Sequence, residues 1–158
     1  MKRFAFAVPG DLAIPTGGYA YDRRMIAELG CLGWQIDIVN LGDGFPLASE
    51  ATRAAAQACL LAVPEGRTVV IDGLALGVLP EAASQLGARN SLLALIHHPL
   101  AFESGLSAEN AKKLHASERA ALAAARGVLV TSAATGRHLV ADYAVPAERI
   151  SVVPPGSD

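Results

Sequence analysis

The feature that most constrains this chain is an alternation of short, nearly continuous apolar runs with stretches of helical character. The runs are Arg3 to Val8, Trp34 to Leu41, Thr68 to Asp72, Ser91 to His97, Gly127 to Thr131 and Ile150 to Val153. Val69-Val70-Ile71 and Leu92-Leu93-Ala94-Leu95-Ile96 carry no polar residue at every second place, so strands built from them are covered on both faces, as in a parallel sheet. Between the runs, Gly18 to Leu32, Ala48 to Ala62, Leu79 to Leu86, Ala108 to Ala125 and Thr135 to Tyr143 read as helices. The expected class is therefore α/β, an open parallel sheet with helices on both faces. The fourth helix is the best marked. Ser107 is its expected N-cap, Glu109 favours the first turn, Leu114, Ala121, Leu122 and Ala125 form an apolar face, and Gly127 is the expected stop. Lys112, Lys113, Glu118, Arg119 and Arg126 read as its solvated face.

Composition narrows the function. The 158 residues include 13 Lys and Arg against 15 Asp and Glu, a net charge of −2, with 52% hydrophobic and 18% charged residues. That suits one domain with a sizeable core and excludes a disordered chain. Without a basic cluster there is no electrostatic footprint for nucleic acid, or for an anionic membrane by charge alone. The mean hydropathy of +0.35 owes much to alanine, and no run approaches the roughly 18 apolar residues of a membrane span. Lys2-Arg3 before Phe4 to Val8 resembles a secretory leader, but Pro9-Gly10-Asp11 ends it short of the usual run of about 7 to 15 apolar residues. It reads as a first strand in a cytoplasmic protein. Cys31 and Cys59 lack any metal-ligand spacing and read as buried free thiols.

In open parallel sheets, ligands bind outside the carboxyl ends of the strands. The loop after strand one runs from Pro9 to Tyr19 and delivers Gly17-Gly18 to the first helix. Glycines there either allow a phosphate or carboxylate to approach the amides at the positive end of the helix, or serve a turn with positive φ. Neither a dinucleotide fingerprint nor a P-loop is present, which argues against NAD and ATP hydrolysis. His97-His98 leave the carboxyl end of strand four. Such imidazoles can donate to a ligand oxygen, transfer protons or bind metal, but neighbours in an extended chain point to opposite sides, which argues against one shared ion. Ser132 and Thr135, where strand five meets the next helix, fit either a helix cap or a ligand contact. His115, His138 and Asp72 read as solvated or structural. No nucleophile elbow occurs.

These stretches together resemble the amino-terminal domain of a GT-B glycosyltransferase of family 4, a Rossmann-like half of a two-domain fold. The resemblance rests on Gly17-Gly18, on Ala27 to Val39 with Gly33-Trp34 where Gly-His is usual, and on Glu118-Arg119-Ala120-Ala121-Leu122. Its most specific part is Val128 to Thr135 and then Val145 to Asp158, with Pro155 replacing the more frequent Asn. It implies transfer of a hexose from a nucleotide-sugar donor to an acceptor, with retention, no cofactor and no metal. His97 would reach the transferred sugar, Gly17 and Gly18 the donor phosphates, and His98 the acceptor, while Ser132 and Thr135 would be ligand contacts. Residues 1–153 would form this acceptor-side domain and 154–158 the start of a linker to the chain's own carboxy-terminal domain. The family's Glu-x7-Glu motif lies in that second half, so these residues alone should have little activity. Peripheral membrane contact stays open. Two other readings compete: a sugar- or phosphate-binding module without catalysis, and a metal-assisted hydrolase using His97, His98 and Glu103.

Overall fold

The computed structural model describes residues 2–156. Strands β1 (Arg3–Val8), β2 (Gln35–Asn40), β3 (Thr68–Asp72), β4 (Ser91–Ile96), β5 (Gly127–Val130) and β6 (Ile150–Val152) form one sheet, ordered β2-β1-β3-β4-β5-β6 and parallel throughout. The helices are α1 (Gly17–Cys31), α2 (Glu50–Leu61), α3 (Gly73–Leu76), α4 (Pro80–Gly87), α5 (Ala108–Ala123) and α6 (Ala133–Asp142). This is the Rossmann-like α/β architecture expected from the apolar runs. Among the described residues the elements not expected are two 3-10 turns, Leu100–Phe102 and Ala147–Arg149, and α3, a single turn begun by Asp72, whose carboxylate accepts from the Leu74 N–H at 2.9 Å.

Side chains alternate between two cores of different texture. On one face Ala5, Ala7, Val69, Ile71, Leu92, Ala94, Val128 and Val130 meet Leu60 of α2, Leu86 of α4, Leu122 of α5 and Leu139 of α6. The small alanines let those helices approach closely, and truncating any of the four buried leucines to Ala would cost about 2–5 kcal/mol. On the other face Phe4, Phe6, Val8, Val70 and Leu95 meet α1 through Tyr21, Met25, Ile26 and Leu29.

Ser107 caps α5 by accepting from the Asn110 N–H, with Glu109 in the first turn as expected. The helix ends at Ala123, however, and Gly127 opens β5 rather than stopping α5. Glu118 is not on a solvated face: it is 1% exposed. It lies four residues from both Leu114 and Leu122, squarely on the inward stripe. Both cysteines are exposed, because Cys31 is the last residue of α1 and Cys59 stands beside the inward row of Ala56 and Leu60 on α2.

The sheet order reverses direction between β1 and β3, and a crevice opens at such a switch point. The chain beyond β6 returns towards it: the Tyr21 hydroxyl donates to the Val153 carbonyl at 2.7 Å. Of the expected linker, Ser157 and Asp158 lie outside the described residues. Among the described residues no helix is long and apolar enough to cross a membrane.

Candidate functional site

Three strand ends and one helix start converge at the switch point. Thr16 caps α1 by accepting from the Tyr19 N–H at 3.2 Å, which places Gly17 and Gly18 in the first turn. Neither glycine has positive φ, so the turn explanation for the pair falls; Gly10 supplies the left-handed residue in that loop, at φ 75°. A Cβ on Gly17 would meet nothing within 4 Å, whereas one on Gly18 would stand 3.4 Å from Cδ2 of His97. Gly18 is where α1 rests against the imidazole, and Gly17 borders open space.

His97 follows β4 directly. Its Nε2 lies 3.3 Å from Asp22 Oδ1 of α1 and 3.7 Å from Asp72 Oδ2 at the end of β3. Tyr21 stands edge-on to the ring with centroids 5.4 Å apart, and the His97 carbonyl accepts from the Thr135 hydroxyl at 3.2 Å. With Nε2 committed to the carboxylates, Nδ1 is the ring nitrogen left for a ligand.

Electrostatics follow from burial and charge. Asp22 and Asp72 are 0% and 2% exposed. Burial pushes Asp22 up to about 7, against the hydrogen bond from His97 and with help from the neighbouring Asp72. Asp72 is held below the usual carboxylate range: burial opposes this, but the hydrogen bonds with His97, Asp22 and the Leu74 N–H prevail. For His97, burial disfavours the cation, yet the two acids outweigh it and raise the imidazole to about 9. The balance favours an imidazolium beside an ionised Asp72, while burial makes Asp22 hold its proton more tightly than usual.

A cavity of about 470 Å³ opens beside this group, lined by Gly17, Gly18, Tyr19, Asp72, His97 and His98 among others. A larger groove of about 630 Å³ runs between Leu47, Arg53, Glu81 and Lys113. It lies away from the switch point and is lined by no histidine, so the smaller cavity is the candidate site. His98 lines that cavity too, but turns to Glu103, with Nε2 2.5 Å from Oε1 on an exposed surface. The adjacent imidazoles thus have separate partners, as an extended backbone dictates.

A family model described as Glycosyltransferase Family 4 matches residues 75–158, more than half of the chain. The chain belongs to glycosyltransferase family 4. No curated protein matches it. In this family 4 chain the matched span holds His97, His98, Ser132 and Thr135, while Gly17, Gly18, Asp22 and Asp72 precede it.

Ser132 and Thr135 lie outside the cavity lining. Ser132 caps α6 by accepting from the Thr135 N–H at 3.1 Å, and the Thr135 hydroxyl is spent on the His97 carbonyl. Together they tie the β5–α6 turn to the histidine. His115 approaches the Asp142 carbonyl at 2.7 Å, and His138 packs edge-on to Phe102, 4.9 Å between ring centroids, so both serve structure. Asp72 is structural in capping α3, but buried rather than solvated.

Sequence reasoning missed Asp22. The available signal was its place on the apolar stripe of α1, among Tyr21, Met25, Ile26 and Leu29, where an acid is out of register with the solvent. The ligating atoms of Asp22, Asp72 and His97 all lie within 4.8 Å of one another. A divalent ion could bridge that spacing only by displacing the proton that His97 Nε2 presents to the two acids.

Proposed function

We propose that this family 4 chain is the acceptor-side half of a hexosyltransferase that moves a sugar from a nucleotide-sugar donor to an acceptor, with retention and without a metal. The observation that carries the reading is His97, its Nε2 turned to Asp22 and Asp72, packed on the first turn of α1 at the switch-point cavity. The amides of Gly17 and Gly18 sit at the positive end of α1, suited to the charge that builds on a departing phosphate. His97 Nδ1 orients an oxygen of the transferred sugar, and fixed donors of this kind need no reorganisation when the bond breaks. His98, paired with Glu103, stands at the outer rim, where an acceptor hydroxyl would enter. Ser132 and Thr135 support the site by holding the His97 backbone. The remaining donor contacts come from a carboxy-terminal domain of the same protein, reached through the segment after β6, and the enzyme works in the cytoplasm, with peripheral contact to a membrane where the acceptor is a lipid.

The test is a panel of nucleotide sugars assayed with the longest natural form of the protein. His97→Ala should lower transfer by about 100-fold or more, Gly18→Leu should damage transfer while the domain still folds, and the 158 residues alone should turn over little. Full transfer by the His97→Ala protein would remove this cavity from the reaction.

A further inference from the structure

Asp22 is expensive to the fold and has no evident structural employment. It is fully buried, and the groups that meet it are the His97 imidazole, 3.3 Å from its Oδ1, and the neighbouring Asp72 carboxylate. Asp72, by contrast, caps α3. An apolar side chain on that stripe of α1 would pack against the sheet without burying an acid. The only ion-pair partners of His97 among the described residues are Asp22 and Asp72. The other polar groups around it are engaged elsewhere: the Tyr21 hydroxyl donates to the Val153 carbonyl, the Tyr19 hydroxyl to the Pro9 carbonyl, and His98 meets Glu103.

We propose that Asp22 is a positioning residue for His97, fixing the imidazole through Nε2 so that Nδ1 is presented to the cavity. Asp72 holds the same nitrogen from the sheet side, Gly18 supports the ring face, Tyr21 its edge and Thr135 the backbone carbonyl. Removing Asp22 leaves one carboxylate and frees the ring to turn. It also removes one of the two charges that keep the imidazole protonated. The role of this positioning in sugar transfer rests on the function proposed above, but the positioning itself can be measured without it.

The experiment is a pH titration of the chain labelled with 15N-histidine, following the two ring nitrogens of each histidine, with His97 assigned from His97→Gln. In the wild type His97 should stay doubly protonated beyond pH 8. In Asp22→Asn its midpoint should fall by at least one pH unit, a tenfold loss of proton affinity, and Asp22→Glu should recover part of it. Circular dichroism melting reports whether each variant folds. If Asp22→Asn does not fold, the wild-type curve still decides, because a His97 midpoint at the ordinary imidazole value of 6.5 would overturn the proposal. An unchanged midpoint in folded Asp22→Asn would overturn it too. So would selective loss of the His97 signals on adding Mn2+ with recovery on chelation, since a cation would then hold the pair. In the complete enzyme, Asp22→Asn should move the alkaline limb of kcat/KM to lower pH by the same interval. Absence of any sugar transfer in the wild type would sink the function proposed above and leave the titration result standing.

Discussion

Asp22 reaches the end of β4 from α1 on one face of the sheet, and Glu118 reaches the turn after it from α5 on the other. Both are essentially fully buried, at 0% and 1% exposed, and burial pushes both up to about 7. Their partners differ. Asp22 faces an imidazole, so each stabilises the charge of the other. Glu118 faces neutral groups: its Oε1 accepts from the Leu100 N–H at 3.0 Å, and the Tyr143 hydroxyl is its other close polar neighbour. A buried acid beside a cation governs where that cation points and how long it keeps its proton. A buried acid among neutral donors is a brace, here anchoring the segment that carries His97-His98-Pro99.

The contrast can be broken most severely from the Glu118 side. Glu118→Ala leaves the Leu100 N–H unpaired and opens a cavity, and should lower unfolding free energy by about 3 kcal/mol in urea titrations, whereas Glu118→Gln retains an acceptor and should cost about 1 kcal/mol. An alanine variant as stable as the wild type would make Glu118 no brace at all. Glycine substitutions come next. A Cβ at Gly77 would lie 2.5 Å from Leu100 Cδ1 and 3.1 Å from Glu118 Oε2, so Gly77→Ala should cost about 2 kcal/mol by overpacking. At Gly18 the nearest atom, in the His97 ring, is 3.4 Å away, and Gly18→Ala should cost less than about 1 kcal/mol.

The pH dependence separates the two acids further. Asp22 and Glu118 hold protons in the native state that they lose in the unfolded chain, whose carboxyls titrate at 3.8 and 4.5. Their contribution is full below those values and is lost as pH rises through about 7. His97 adds stability that is full below 6.5 and lost as pH rises through about 9. Asp72, held low, contributes above the ordinary carboxylate range and loses its part only in acid. The melting temperature should therefore fall from pH 5 to pH 9. Glu118→Gln should flatten the lower part of that slope and leave the part above pH 7. A melting temperature rising over this range would contradict both assignments. The smallest effect belongs to the exposed His98–Glu103 pair, where His98→Ala should change stability by less than about 0.5 kcal/mol.

The six strands could be read directly, because a parallel sheet covered on both faces leaves apolar runs that no surface segment imitates. The place of the glycine pair and His97 at the switch-point cavity could be read as well, since the crevice of such a sheet lies outside its strand ends. What escaped was polar residues inside apolar stripes. Glu118 looked solvated beside Lys112 and Arg119, although its spacing from Leu114 and Leu122 marked the inward face. Asp22 stood among Arg23 and Arg24, although its spacing from Met25, Ile26 and Leu29 placed it on the inward stripe of α1. Asp72 looked like a strand end because the single turn it caps is too short to have a period. The cysteines were misjudged from residue type alone, when the helical register of Cys59 beside Leu60 already placed it off the buried row.

The most direct test of the site is the 15N-histidine spectrum of this chain as nucleotide sugars are added one at a time. The ring nitrogens of His97 should move with one donor, Nδ1 most, while those of His115 and His138 stay in place. A donor that the complete protein turns over, added here at saturation without any change at His97, would contradict the account.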